Sequence, residues 1–119
     1  MPISINHEDN QQIVMHISGT LLRSEFSASQ AMLGQYIADG AHPRLLVILE
    51  AFTGWEADVD WSDLGFMLGP GSAIAKIAII GHPRWEVEAL AFTGAGLRQT
   101  PVAYFANERA AEARAWLQA

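Results

Sequence analysis

One stretch near the middle of the chain constrains the fold more than any other, an apolar run without polar alternation at residues 45–49, LLVIL. Pro43 precedes the run, and Glu50 and Gly54 follow it. A short continuous apolar run between turn signals is typical of a strand buried on both faces, at the centre of a parallel sheet. Ligands of such sheets collect beyond the carboxyl ends of the strands. A functional site is therefore expected between Glu50 and Asp63.

Four further segments have strand patterns. Residues 76–80 (KIAII) contain a second continuous apolar run, 77–80, that ends at Gly81, which predicts a buried parallel neighbour of the first run. Residues 3–5 and 13–17 predict an antiparallel hairpin, and 100–105 a last strand. In 13–17 the isoleucines and Met15 share one face, which leaves His16 towards solvent. Gly19 is expected to end that strand.

Helical spacing predicts four helices between and after these strands. The first spans 24–39 with Ser24 as its N-cap, and buries Phe26 with Met32 beside it. A short second helix follows Asp58 or Asp60, Pro83 opens a third, and Asn107 caps the fourth. The order is β-β-α-β-α-β-α-β-α, a mostly parallel five-stranded sheet with an antiparallel first strand and four helices. If each strand adds beside the previous one, every helix lies on one side of the sheet.

Composition limits the classes of function. The 119 residues predict a single domain, 1–119, and half of them are hydrophobic. The net charge is −6 and no lysine/arginine cluster occurs, which argues against nucleic acid and anionic membranes as partners. There is no cysteine. No stretch is long and apolar enough for stable membrane insertion, so a cytoplasmic domain is expected.

Polar and aromatic side chains cluster in sequence after the predicted buried strands. Their types suit a small polar or amphipathic ligand at the carboxyl edge of the sheet. Structural roles are the alternative: Glu50 capping backbone amides, His82 beginning a turn, and Trp55 and Trp85 closing the core. The predicted ligand-binding residues are Glu50, Thr53, Trp55, Trp61, His82, Arg84, Trp85 and Asn107.

Catalytic and cofactor motifs are not found in the sequence. It contains neither a G-x-S-x-G elbow nor a G-x-x-x-x-G-K-[ST] loop. Gly94-Ala95-Gly96 follows a predicted helix instead of a strand, so it does not match a dinucleotide fingerprint. No histidine or acid has metal-ligand spacing. No catalytic residue, cofactor or metal is predicted.

The segments LLVILEAFTGW, WSDL, KIAIIGHPRW and YFANERAAEARAWL resemble the SpoIIAA-like proteins, part of the STAS group of sulfate-transporter and anti-anti-sigma domains. The resemblance covers nearly the whole chain and implies their fold. It also implies a phosphorylatable serine after the central strand, where Ser62 stands. Trp61 and Asp63 break the family's Asp-Ser-Ser-Gly-like motif, and the neighbouring acids would repel a phosphate. Ser62 as an ordinary first-turn helix residue is the alternative.

Three functions from different classes follow. The resemblance implies a non-catalytic regulatory or protein-interaction domain. Family members also resemble lipid-binding CRAL-TRIO domains in fold, which suggests a carrier or sensor of a small apolar or amphipathic ligand. A small enzyme using Glu50 and His82 is the third hypothesis. The apolar segment from Trp61 to Leu68 predicts a homodimer contact, and the glycines of the segment from Trp55 to Gly71 predict a mobile cover over the strand ends.

Overall fold

The computed structural model describes residues 3–9, 12–38, 43–57, 74–92 and 100–118. Two of the described helices, Glu86–Phe92 and Ala110–Gln118, are each preceded by a short 3-10 turn. These turns are Pro83–Trp85 and Asn107–Arg109. The predicted helix after Asp58 or Asp60 lies outside the described residues, as do the predicted dimer contact and most of the predicted cover. The described elements are β1 (Ile3–Asp9), β2 (Gln12–Leu21), α1 (Arg23–Ala38), β3 (Arg44–Trp55), β4 (Lys76–Gly81), α2 (Glu86–Phe92), β5 (Val102–Ala106) and α3 (Ala110–Gln118).

The five strands form one sheet in the order β1-β2-β3-β4-β5. β1 is antiparallel to β2, and the other neighbours are parallel. The two continuously apolar runs are adjacent, with Val47 opposite Ile79. The predicted fold class and the predicted neighbourhood of the two buried strands are therefore confirmed. Ile48 is only half-buried, however, whereas Leu46 is fully buried.

The sheet has an apolar core on each face. On the first face α1 and α2 cover Met15, Val47 and Ile79. On the opposite face α3 covers Leu46 and Ile80 with its own Ala113 and Leu117. The expectation that every helix lies on one side is thus wrong for α3. Because α3 follows the last strand and connects to no further one, the crossover rule does not constrain it. The apolar second face of the central strands requires a cover, and α3 provides it.

Three strands continue further than the sequence pattern indicated. β1, predicted at residues 3–5, continues to Asp9. β2 passes Gly19 and ends at Leu21, while β3 passes Glu50 and ends at Trp55. The register between β2 and β3 shifts twice. Ala51 and Thr53 have no partner in β2, so each is an extra residue, a bulge, in β3. Ala51 adopts φ 49°, the left-handed region that non-glycine residues rarely occupy. Bulges of this kind bend a strand and re-aim its side chains, which an apolar/polar pattern does not reveal.

The helix starts also differ from the predictions. α1 begins at Arg23, and the carboxylate of Glu56 accepts a hydrogen bond from the Arg23 amide at 2.9 Å, so the cap comes from the end of β3 instead of from Ser24. Met32 is 60% exposed, because it lies on the opposite side of α1 from Phe26 and Leu33, which pack against the core. Asn107 is the first residue of a 3-10 turn and caps no helix; Ala106 holds the cap position without a side-chain bond.

Candidate functional site

The aromatic side chains at the carboxyl edge of the sheet form one cluster. Phe52 makes edge-to-face contacts with both Trp55 and Trp85 at ring-centroid distances of 5.1 Å, and the two tryptophans lie 6.0 Å apart. Gly54 has φ 113°, and a Cβ there would lie 3.4 Å from the Trp85 ring. All three rings belong to or pack against the core on the α1 face. They close the end of that core, as the structural alternative for these tryptophans predicted.

His82 and Arg84 belong to the turn that opens α2. The His82 ring Nδ1 accepts a hydrogen bond from the Arg84 amide at 3.0 Å, which caps the 3-10 turn. The Arg84 guanidinium lies 4.6 Å from the centre of the Trp85 ring, a cation–π contact. Both side chains are exposed. His82 therefore has a structural role in the turn.

Tyr104 fills the space beside Gly81 at the end of β4. Its hydroxyl donates a hydrogen bond to the His82 carbonyl at 2.6 Å. A Cβ at Gly81 would lie 2.5 Å from that hydroxyl, so only glycine fits at this position. Burial, with a smaller contribution from the Glu86 carboxylate, raises the pKa of Tyr104 from 10.0 to about 12. Sequence reasoning missed Tyr104; the signal was the glycine at the end of a buried strand.

A polar strip lies on the α3 face where β2 and β3 end. The ring Nδ1 of His16 donates to the Glu50 carboxylate at 2.5 Å, and the hydroxyls of Thr20 and Thr53 are 2.8 Å apart. The side chains of His16 and Glu50 are 37% and 60% exposed. α3 packs over β3, β4 and β5 without burying these groups. We define the polar strip as His16, Ser18, Thr20, Glu50 and Thr53.

The predicted site residues are thus distributed over separate environments. Glu50 pairs with His16 across β2 and β3, whereas His82, directly after β4, accepts its hydrogen bond from the Arg84 amide. Asn107 is exposed at the turn after β5. Trp61 and Ser62 lie outside the described residues, so ligand binding at Trp61 and phosphorylation of Ser62 stay predictions. Sequence reasoning missed the part played by His16, although its place on the polar face of β2 was predicted and is confirmed.

A small cavity lies inside the core between α1 and the sheet. Its volume is about 80 Å³. Pockets for drug-sized ligands have volumes of roughly 300–1,000 Å³, so this cavity is several times smaller than such a pocket. It is lined by Met15, Ile17, Leu21, Phe26, Ser29, Gln30, Leu33, Leu45, Val47, Leu49, Phe52, Trp55, Ile74, Ile77, Ile79 and Ala89.

The described ranges contain no group of metal ligands and no membrane-spanning helix. Within them, no three histidine or acidic side chains are grouped so that they could hold a metal ion. None of the three helices described has the length and apolar content that a membrane span requires.

Comparison with known proteins places this geometry in a family. No curated protein sequence matches the chain. Several solved structures share its fold, among them the two that follow. An uncharacterised DUF3478-family protein with a SpoIIAA-like fold from Shewanella loihica PV-4 is 21% identical, with a TM-score of 0.68 over 97% of this chain and 91% of the other. The anti-sigma factor antagonist SpoIIAA, in its unphosphorylated form, is 16% identical, with a TM-score of 0.60 over 96% and 97%.

The SpoIIAA-like family model matches residues 12–118, from the start of β2 to the end of α3. The resemblance in the sequence segments, the sheet order and the family match agree. The chain belongs to the SpoIIAA-like family.

Proposed function

We propose that this protein is a non-catalytic regulatory domain that acts by binding another protein, and that the partner docks on the polar strip. The fold fits a STAS-like regulatory or protein-interaction domain, and one solved structure with this fold is an anti-sigma factor antagonist. The observation that carries the proposal is the pair of cross-strand contacts, His16–Glu50 and Thr20–Thr53, on an exposed sheet surface.

These contacts prepare the surface for binding. Side chains that are already paired on rigid strands lose little conformational entropy when a partner arrives, which favours affinity. The bulge at Ala51 stores backbone strain beside them, and such strain concentrates at functional positions. With Glu50 exposed and a net charge of −6, a basic partner surface would be electrostatically complementary.

Photo-crosslinking in a native cell extract tests the proposal. A photoreactive phenylalanine analogue replaces Ser18 in the polar strip, and in the control it replaces Val87, which is 80% exposed on α2. We expect one adduct of discrete mass from the Ser18 position and none from Val87. Glu50→Arg should remove the adduct, whereas Glu88→Arg, the same charge change on exposed α2, should leave it intact.

Other distributions of adducts would contradict the proposal. Equal labelling from both positions would mean unspecific contacts, and an adduct insensitive to Glu50→Arg would place the partner elsewhere. Circular dichroism of each variant verifies that it is folded.

The carrier hypothesis is the second candidate, and the cavity is the observation that bears on it. At about 80 Å³ the cavity suits a small apolar molecule instead of a lipid. Native mass spectrometry of the purified protein would support the carrier hypothesis if a bound apolar molecule appeared. An enzyme built on Glu50 and His82 gains no support, because their contacts are with different residues.

A further inference from the structure

The amino-terminal edge of the sheet, opposite the polar strip, has a row of polar residues. Gln12, Arg44 and Lys76 begin β2, β3 and β4 and are partners in the strand register. The next residue of each strand packs into the core on the α1 face. Because side chains alternate along a strand, the three side chains of the row lie on the α3 face. Neighbouring strands are about 4.8 Å apart, so Arg44 and Lys76 are adjacent cations.

The end of α3 holds Lys76 in place. Its Nζ donates to the Trp116 carbonyl at 3.0 Å and lies 4.8 Å from the centre of the Trp116 ring. The carbonyl belongs to the last turn of α3, where the helix dipole favours a cation. Gln118 contacts Gln12 through their side-chain amides. One cation of the row is thus positioned beside Arg44 by the packing of α3.

Arg44 itself is the unusual member of the row. It is half-buried, and its guanidinium has neither a hydrogen bond nor an ion pair with any described residue. A guanidinium has five donors in a planar fork that matches carboxylate and phosphate oxygens. A guanidinium on a half-buried side chain, next to a second cation, favours the binding of an anion that offsets the two positive charges. The position is all the more notable in a chain with only seven lysines and arginines and a net charge of −6.

We propose that Arg44 and Lys76 form a binding site for an anionic group, a carboxylate or a phosphate, at the amino-terminal edge of the sheet. Arg44 donates two parallel hydrogen bonds to the anion, and Lys76 contributes a second positive charge from its fixed place on Trp116. The polar side chains of Gln12 and Gln118 border the site. This site is independent of the polar strip, since the two lie at opposite ends of β2 and β3.

Nuclear magnetic resonance titration of the ¹⁵N-labelled protein tests the site. Inorganic phosphate is added in one arm and acetate in the other, with ionic strength held constant because salt alone screens exposed charges. We expect saturable shifts of the Arg44 Nε and of the backbone amides of Leu45 and Lys76. The arm with the tighter binding identifies the phosphate or the carboxylate as the preferred group.

Charge-matched variants complete the experiment. Arg44→Gln should weaken binding roughly tenfold, as expected when one bidentate charged contact is removed. Arg84→Gln removes the same charge at the other edge of the sheet and should leave the affinity unchanged. If Arg44→Gln is poorly folded, Arg44→Lys preserves the charge without the fork and should weaken binding less. Shifts that never saturate, or equal losses in Arg44→Gln and Arg84→Gln, would overturn the proposal.

Discussion

At the residue scale, the side chain of Tyr104 leaves no space for a residue larger than glycine at position 81. The phenol occupies the volume of a missing Cβ and donates its hydrogen bond to the His82 carbonyl. This hydrogen bond connects the middle of β5 to the turn that opens α2. Burial, and to a smaller extent the negative charge of Glu86, disfavours the ionised phenol, which is why the pKa of Tyr104 is raised to about 12.

The raised pKa of Tyr104 predicts a loss of stability in strong base. The unfolded chain releases the proton near pH 10, whereas the folded protein keeps it up to about pH 12. The stabilisation is therefore complete below pH 10 and is lost as the pH rises from 10 through 12. Urea denaturation between pH 9 and 12 should show the midpoint falling in the wild type and falling less in Tyr104→Phe. Parallel curves for the two proteins would mean that Tyr104 does not cause the loss.

Ala51 gives a second prediction at this scale. Its φ of 49° costs a residue with a Cβ about 1–2 kcal/mol, and glycine avoids that cost but adds about 0.4–1 kcal/mol of unfolded-state entropy. Ala51→Gly should therefore raise the free energy of unfolding by about 0.5 kcal/mol. The control is Ala75→Gly, at an exposed position without positive φ, which should lower it by about 0.5–1 kcal/mol. Chemical denaturation measures both, and an equal loss in the two variants would contradict the argument.

At the scale of elements, the end of β3 and the start of α1 stabilise each other. The Glu56 amide donates to the Leu21 carbonyl at 2.9 Å, while its carboxylate accepts from the Arg23 amide. A carboxylate at a helix N-terminus satisfies an otherwise unpaired amide and interacts favourably with the helix dipole. One residue therefore connects the ends of β2, β3 and α1, although it lies more than thirty positions from Arg23 in sequence.

Removing this cap should destabilise the protein. Glu56→Ala is expected to lower the free energy of unfolding by about 0.5–2 kcal/mol, the range for losing an N-cap. Glu112→Ala serves as control, since Glu112 forms an exposed ion pair with Arg109 that is worth less than about 1 kcal/mol. Urea denaturation followed by circular dichroism compares them. A loss no larger in Glu56→Ala than in Glu112→Ala would show that the cap does not hold α1.

At the scale of the whole molecule, the sheet separates two cores. Ile79 is 2% exposed in the core beneath α1, and Leu117 is fully buried in the core beneath α3. Each alanine substitution should lower the free energy of unfolding by about 2–5 kcal/mol, and half-buried Ile48 should lose less. The Ile79→Ala and Leu117→Ala losses should add to within about 0.5 kcal/mol, because the two residues share no partners. Thermal and urea unfolding of the single and double variants measure this, and strong non-additivity would mean that one core depends on the other.

The sequence alone determined which segments form strands, the adjacency of the two buried strands and the family. Continuous apolar runs such as 45–49 and 77–80 have to be buried on both faces, and the right-handed crossover of parallel neighbours leaves few topologies. The alternation in β2 likewise placed His16 on the polar side. These features depend on apolar runs and on polar/apolar alternation over a few neighbouring residues, and both can be read directly from a sequence.

Tertiary structure alone decided which side chains meet. The His16–Glu50 pair, the Glu56 cap and the Tyr104–His82 bond each join residues more than twenty positions apart, and none follows from local spacing. Bulges at Ala51 and Thr53 extended β3 and directed Thr53 towards Thr20. α3 packs on the face of the sheet opposite α1 and α2, which no local pattern in the sequence indicated. A strand pattern specifies which residues are buried, but register shifts and the packing of distant elements determine which exposed groups become neighbours.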